Sequence, residues 1–278
     1  MKYGINIQNY GIVSTPDEMA DLAVMAEEAG WDGFFIWDHL IITPQLFDFP
    51  FVDPIVTLAT MAMKTSRIQI GTLITPLPRR RPWKVAREMV SIDHLAKGRL
   101  ILGVGLGTPD YEYLAFGEEL NNNVRAKKLD EGLAILLGLW SGEKFSYTGE
   151  FYQLQEIKFT PKPYNGTIPI IIGGMWPNKK PFQRAAQFDG VCPVSAKWPE
   201  ILTPQDLKGV VECVKAYRQN LDHYEVMIAG ATPTDLEEGI QIVQPYVDEG
   251  ATWWVEDLHD MRGWTDEMKE RIQAGPPK

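Results

Sequence analysis

Eight short apolar runs, each followed by a segment of helical periodicity, set the strongest limit on what this chain can form. Strict strand–helix alternation builds a parallel sheet with helices outside it. The runs are KYGINIQ (2–8), GFFIW (33–37), RIQIGTLI (67–74), RLILGVG (99–105), IPIIIGG (168–174), DGVCPV (189–194), YEVMIAG (224–230) and ATWWVED (251–257). Helices are predicted near 16–29, 53–64, 82–97, 121–140, 180–188, 204–220, 234–249 and 265–273. Thr15 and Pro16 start the first of these, Gly30 ends it, and Pro82 and Gly98 bracket the third. Eight such units match a (β/α)8 TIM barrel, and a doubly wound open sheet is the alternative.

A local echo between EEAGWDGFFIWD and VDEGATWWVED favours repeated βα units over two unlike domains. The stretch KFSYTGEFYQL alternates polar and apolar residues about Thr-Gly, so a surface hairpin is expected near 144–154. No linker divides the chain, and residues 1–278 read as a single domain. With 45% apolar residues the chain has material for one large core.

Charge and cysteine usage narrow the function class. The 27 basic and 37 acidic residues leave a net charge of −10, which repels phosphate backbones and anionic membranes, so nucleic-acid and membrane partners are not expected. Cys192 and Cys213 form no CxxC pair, which fits a reduced, cytoplasmic setting. The N-terminal MKYGINIQNYG has no signal-peptide core, and polar residues interrupt every apolar stretch before bilayer length.

In a barrel, chemistry collects at the C-terminal ends of the strands. Sampling those positions gives Asn6 and Gln8, Asp38 and His39, Thr72 and Thr75, Gly105 and Gly107, Gly173 and Gly174, then Glu256, Asp257 and His259. Asp-His-Leu occurs twice, and only the copy at 38–40 follows an apolar strand; the copy at 93–95 falls inside a helix. His39 is a candidate proton carrier beside a bound ring, against the plainer reading of a loop histidine capping backbone groups. Asp38 divides the same way, between chemistry and turn capping.

Gly173-Gly174, followed by Met175 and two lysines at a helix entry, suits a phosphate-bearing ligand, or simply a tight βα connection. The run GVGLG lacks the third glycine of a dinucleotide fingerprint and suits close approach of backbone to a flat ligand. The arginines of LPRRRPWK could meet an anionic ligand, a neighbouring subunit or solvent. Trp253 and Trp254 point to opposite faces of one strand. Glu256 shares the face of Trp254 and is a candidate catalytic group at the pocket mouth, or an arginine's partner.

Taken together, GWDGFFIWDHL, IGTLITPLPRRRPWKVARE, GRLILGVGLG, PIIIGGMWPN, GATWWVED and RIQAGPPK resemble the bacterial-luciferase-like superfamily of flavin-dependent oxidoreductases, over nearly the whole chain. The resemblance implies a TIM barrel that binds FMN, or alternatively the deazaflavin F420, at the strand C-terminal ends, and commonly a homodimer built on the early helices. It implies that Asp38 and His39 lie by the flavin ring, that a non-proline cis peptide lies near Leu73, and that Gly173 and Gly174 receive the cofactor phosphate. Asn6, Thr72, Gly105 and Met175 complete the expected cofactor-contacting set.

Related F420-dependent sugar-phosphate dehydrogenases carry a glutamate where this chain has Thr108, whereas Asp38-His39 leans toward F420, so the cofactor stays open between the two. With FMN, the chemistry is monooxygenation supported by a flavin reductase, and the aromatic loop QLFDFPF would shelter the reduced ring from water. With F420, it is hydride transfer to a small organic substrate. Two other classes compete: a metal-dependent barrel hydrolase using Asp38, His39, Asp257 and His259, and a cofactor-free binding or scaffold barrel.

Overall fold

The computed structural model describes residues 1–263 and 265–278. Strands β1 (Lys2–Ile7), β2 (Gly33–Ile36), β3 (Gln69–Pro76) and β4 (Leu100–Gly105) alternate with helices α1 (Pro16–Glu28), α2 (Pro54–Lys64) and α3 (Pro82–Leu95). A short helix α4 (Asp110–Ala115) and the long α5 (Asn122–Trp140) follow, and then a hairpin of β5 (Lys144–Thr148) and β6 (Gln153–Lys158). The alternation resumes with β7 (Ile170–Trp176), α6 (Lys180–Ala185), β8 (Gly190–Ser195), α7 (Pro204–Lys215), β9 (Glu225–Gly230), α8 (Leu236–Asp248), β10 (Trp253–Leu258) and α9 (Thr265–Gln273).

Eight strands close into an all-parallel ring in the order β1-β10-β9-β8-β7-β4-β3-β2, with β5-β6 as a separate two-stranded sheet. The fold is therefore the (β/α)8 barrel with a hairpin insertion, and the open-sheet alternative is excluded by closure between β1 and β10. In this ring β9 stands diametrically opposite β3.

Local chemistry explains the helix starts. Thr15 and Glu18 form a reciprocal capping box at α1, Thr203 and Asp206 another at α7, and Asp53, Asn121 and Asp235 cap α2, α5 and α8. The core has two shells. Phe35, Leu73, Ile101, Ile171, Cys192, Met227, Trp253 and Val255 fill the barrel interior, while a larger cluster that includes Trp254 lies between sheet and helices. Gly33 makes the inner shell possible, because a Cβ there would come within 2.8 Å of the Trp253 ring.

Two features differ from the sequence expectation. No helix is expected between 105 and 121, and the structure places α4 there. Gly173 and Gly174, expected in a turn, lie inside β7 and pair with Cys192 and Pro193 of β8. Their lack of side chains serves packing: a Cβ at 173 would strike Ile74, and one at 174 would strike Pro181 and Phe182. Among the described residues no helix is long and apolar enough to cross a membrane.

Candidate active site

The C-terminal mouth of the barrel has two walls. The first is built around β2, β3 and β4. Asp38 is buried at the end of β2 and accepts from both arginines of the turn after β3: Arg79 Nη2 at 2.8 Å, and Arg80 through Nε at 3.1 Å and Nη2 at 2.7 Å. This fork geometry holds the two loops together. Burial acts to lower the Arg80 pKa, but the charge and hydrogen bonds of Asp38 outweigh it and raise it. Two of the three clustered arginines are thus turned inward, and Arg81 lies over the Trp83 ring at 5.9 Å.

His39 follows. Its amide donates to Asn9 Oδ1 at 3.2 Å and its carbonyl accepts from Asn9 Nδ2 at 2.8 Å, which fixes the backbone. Its ring Nδ1 lies 3.3 Å from Glu112 Oε2, and 15% of the side chain remains exposed. Glu112, fully buried on α4, also accepts from the Leu40 and Ile41 amides and lies 2.5 Å from Arg79 Nη1. Burial pushes the Glu112 pKa up, but His39, Arg79 and the Leu40 amide outweigh it and bring it below the ordinary carboxylate value.

Sequence reading missed Glu112, placing no acid near His39 once Thr108 was seen. The available signal was Pro109 followed by an acidic first turn, the usual opening of a helix.

The floor of this wall is apolar and flat. The Leu73–Ile74 peptide is cis, at the expected place. Register between β3 and β4 shifts between Thr72 and Thr75, and both Leu73 and Ile74 face the barrel interior. Ile74 lies over three glycines: a Cβ would come within 3.3 Å of it at Gly103, 2.1 Å at Gly105 and 2.9 Å at Gly173. Thr72 is committed elsewhere, with its hydroxyl 2.9 Å from that of Thr75 and 3.3 Å from the Gly103 carbonyl. Met175, 40% exposed, stands at the outer end of β7.

The second wall comes from β8, β9 and β10, around a cavity of about 260 Å³. Asp257, which shares its strand face with the interior residues Trp253 and Val255, accepts from Asn6 Nδ2 at 2.8 Å and from Trp37. Burial raises its pKa to about 6, against the lowering effects of Asn6, Arg262 and Trp37. His259 is buried; burial first, then Arg262, lowers its pKa.

Glu256 faces the other way. Its carboxylate accepts from Thr232 at 2.8 and 2.6 Å, from Trp254 Nε1 at 3.2 Å, and pairs with Arg262 at 2.7 Å and Arg271 at 3.4 Å, in the layer between barrel and helices. Strand alternation puts it on the face opposite Asp257, so it points away from the barrel interior and stands behind Arg262, which lines the cavity. His94, on α3, has Nε2 2.8 Å from the Lys162 carbonyl oxygen, which accepts from it, so it takes no part in the mouth.

The structure therefore brings Asp38, His39, Leu73, Gly105 and Gly173 to one wall and Asn6 to the other, and leaves Glu256 outside. Asp38 and His39 lie with arginines and Glu112, and among the described residues no three His, Cys, Asp or Glu side chains gather as a metal-holding group.

The sequence profile described as luciferase-like monooxygenase matches residues 2–232. The chain belongs to that family. The luciferase-like chain is 30% identical over 233 residues to an F420-dependent glucose-6-phosphate dehydrogenase of Nakamurella multipartita, covering 81% of this chain and 67% of that enzyme. It spans 55% of the corresponding enzyme of Microbacterium testaceum, at 31% identity over 68% of this chain.

Its fold matches an F420-dependent secondary alcohol dehydrogenase solved with an F420-acetone adduct, with a TM-score of 0.79 and 18% identity over 98% of both chains. It also matches the oxygenating component of a type II Baeyer–Villiger monooxygenase from Pseudomonas putida in complex with FMN, with a TM-score of 0.66, 19% identity, and 88% and 71% coverage.

Proposed function

We propose that this luciferase-like chain, read as one barrel domain over residues 1–278, is an F420-dependent oxidoreductase that exchanges hydride with a small organic molecule. The observation that carries this reading is the His39–Glu112 pair beside a glycine-lined, apolar floor. A flat ring suits that floor, since Gly105 and Gly173 leave a surface on which only the Ile74 side chain stands. Asn6, Leu73, Gly105 and Gly173 are the residues we assign to the ring, and Gly174 and Met175 to the segment leading toward its phosphate. When bound, F420 supplies a hydride donor or acceptor at its ring.

The chain's own residues do the rest. Glu112 accepts from His39 Nδ1–H, which fixes the tautomer and leaves Nε2 as the atom that takes or gives the substrate's proton. Asp38 acts as the anchor that holds His39 against the Arg79–Arg80 turn, through its paired hydrogen bonds. Ile74 and Leu73 close the ring site from the barrel side and keep water out of it. The named activity of the Nakamurella multipartita relative supports F420 over FMN.

FMN-dependent monooxygenation is the second reading. It is favoured by the aromatic loop after β2, where Phe51 stacks on Tyr10 at 5.1 Å, and it would need a flavin reductase as partner. Titrating the purified protein with F420 and with FMN, followed by absorbance and fluorescence, decides between them. Saturable micromolar binding of F420 supports the proposal, binding of FMN alone transfers it to the second reading, and binding of neither sinks both. We further propose a homodimer through the early helices, where Val56 and Met63 of α2 are 54% and 70% exposed, and a cytoplasmic location. Sedimentation equilibrium tests the dimer.

A further inference from the structure

The cavity at the ends of β8, β9 and β10 has a composition that selects its occupant. Val194, Trp198, Ile201, Leu202, Ala229 and Met261 give it apolar sides. Its volume of about 260 Å³ falls below the ~300–1,000 Å³ of sites for drug-sized ligands, so the occupant is small. The charges facing it are unbalanced. Asp257 and Glu200 line it, and among the described lining residues Arg262 is the one fixed cation.

Arg262 is already engaged: Nη1 lies 2.7 Å from Glu256 Oε1 and 2.6 Å from the Asp257 carbonyl, and Nη2 lies 3.2 Å from the Thr232 carbonyl. A phosphate group entering here would meet Asp257, the exposed Glu200 and no uncommitted cation among the described lining residues, an arrangement that disfavours a dianion. Asp257 holds two fixed donors, Asn6 and Trp37, while a carboxylate offers about four lone-pair sites. It retains capacity for a hydroxyl donor.

The cavity is joined to the proton-carrying histidine by a row of rings. His39 meets Trp37 edge-on at 5.8 Å, Trp37 stacks on His259 at 6.2 Å, and His259 meets Trp198 at 5.8 Å. An occupant of the cavity thus lies along the same wall of rings as His39.

We infer that this cavity is the substrate pocket, that it takes a small, uncharged, mostly apolar molecule bearing a hydroxyl group held by Asp257, and that it turns away phosphate monoesters. The inference rests on the oxidoreductase reading for the word substrate, and it separates this chain from relatives named for glucose 6-phosphate.

Calorimetric titration and tryptophan fluorescence of the purified, cofactor-free protein test it with three probes: cyclohexanol, methoxycyclohexane and glucose 6-phosphate. Cyclohexanol should bind saturably and at least about tenfold more tightly than its methyl ether, which cannot donate, and glucose 6-phosphate should not bind in the same range. Asp257→Asn should shrink the alcohol-over-ether preference to within about twofold, and Ala229→Phe, which fills the cavity, should abolish binding of both while circular dichroism shows a folded protein.

Equal or tighter binding of glucose 6-phosphate, or an unchanged preference in Asp257→Asn, overturns the inference. If the cyclohexanol pattern holds while neither F420 nor FMN binds, the pocket stands and the cofactor reading falls. If F420 binds and the cyclohexanol pattern is absent, the pocket assignment falls and the cofactor reading stands.

Discussion

The Trp37 indole stacks on the His259 imidazole with centroids 6.2 Å apart and planes inclined by 30°. One ring comes from the end of β2 and the other from the end of β10, so the contact bridges the mouth over β1, whose Asn6 lies between them and bonds Asp257. It ties the wall that carries His39 to the wall that carries the cavity. Substituting either ring should disturb both.

Glu112→Gln keeps the size of the side chain and removes the charge that holds His39 Nδ1. Turnover should fall by about 100-fold, within the range for losing an oriented acid–base group, while cofactor affinity changes little. Stopped-flow hydride transfer set against equilibrium cofactor binding checks this. The sign of the pH effect is also fixed: the Glu112 pKa is lowered on folding, so its contribution to stability is present above the ordinary carboxylate value and is lost as pH falls through the folded one. Unfolding curves of Glu112→Gln should lack that acid-side loss.

Asp38→Asn leaves Arg79 and Arg80 facing a neutral amide in a buried site. Breaking one partner out of a buried ion cluster costs about 3–5 kcal/mol, and a loss of that size should appear in urea unfolding. A loss under about 1 kcal/mol would mean the arginines find water instead.

Gly105→Ala places a methyl 2.1 Å from Ile74 Cδ1. The expected result is a cofactor affinity reduced by about tenfold with a small change in Tm, because the tip of Ile74 must swing into the ring site. Adding Ile74→Ala to Gly105→Ala should restore affinity. Failure of the double variant to recover would place the ring elsewhere.

Asp257 carries a pKa raised from 3.8 to about 6. A raised folded pKa favours the protonated form, so the associated stability is full below about 4 and is lost as pH rises through about 6. Asp257→Asn should therefore equal the parent protein at pH 4 and exceed it at pH 8, by up to about 3 kcal/mol before screening by solvent is allowed for. Urea unfolding at the two pH values measures the difference.

Much of this architecture is legible in residues alone because every barrel strand is a compact apolar run and most helices begin at a Ser/Thr/Asp/Asn cap or a proline. What escaped has physical reasons. The six residues of α4 are too few to display a helical period, so Glu112 was hidden in a presumed loop. Strands of a parallel barrel are buried on both faces, and alternation along β10 says that Trp254 and Glu256 share a face without saying which face is inside. Gly173 and Gly174 carry the mark of a turn, yet they yield space to Ile74, distant in sequence, and to Pro181 and Phe182 of the helix that follows. Asp38 and His39 were legible by position, but the Arg79–Arg80 grip on Asp38 required the fold.

The placement of β9 opposite β3 in the closed ring sets the cavity and the Ile74 floor on opposite sides of the mouth, joined by the contact of Trp37 with His259. On the proposed reading, exchanging the segments after β8, β9 and β10 would change what the cavity recognises while His39, Glu112 and Ile74 keep their places, provided the Trp37–His259 contact that joins the two sides is preserved.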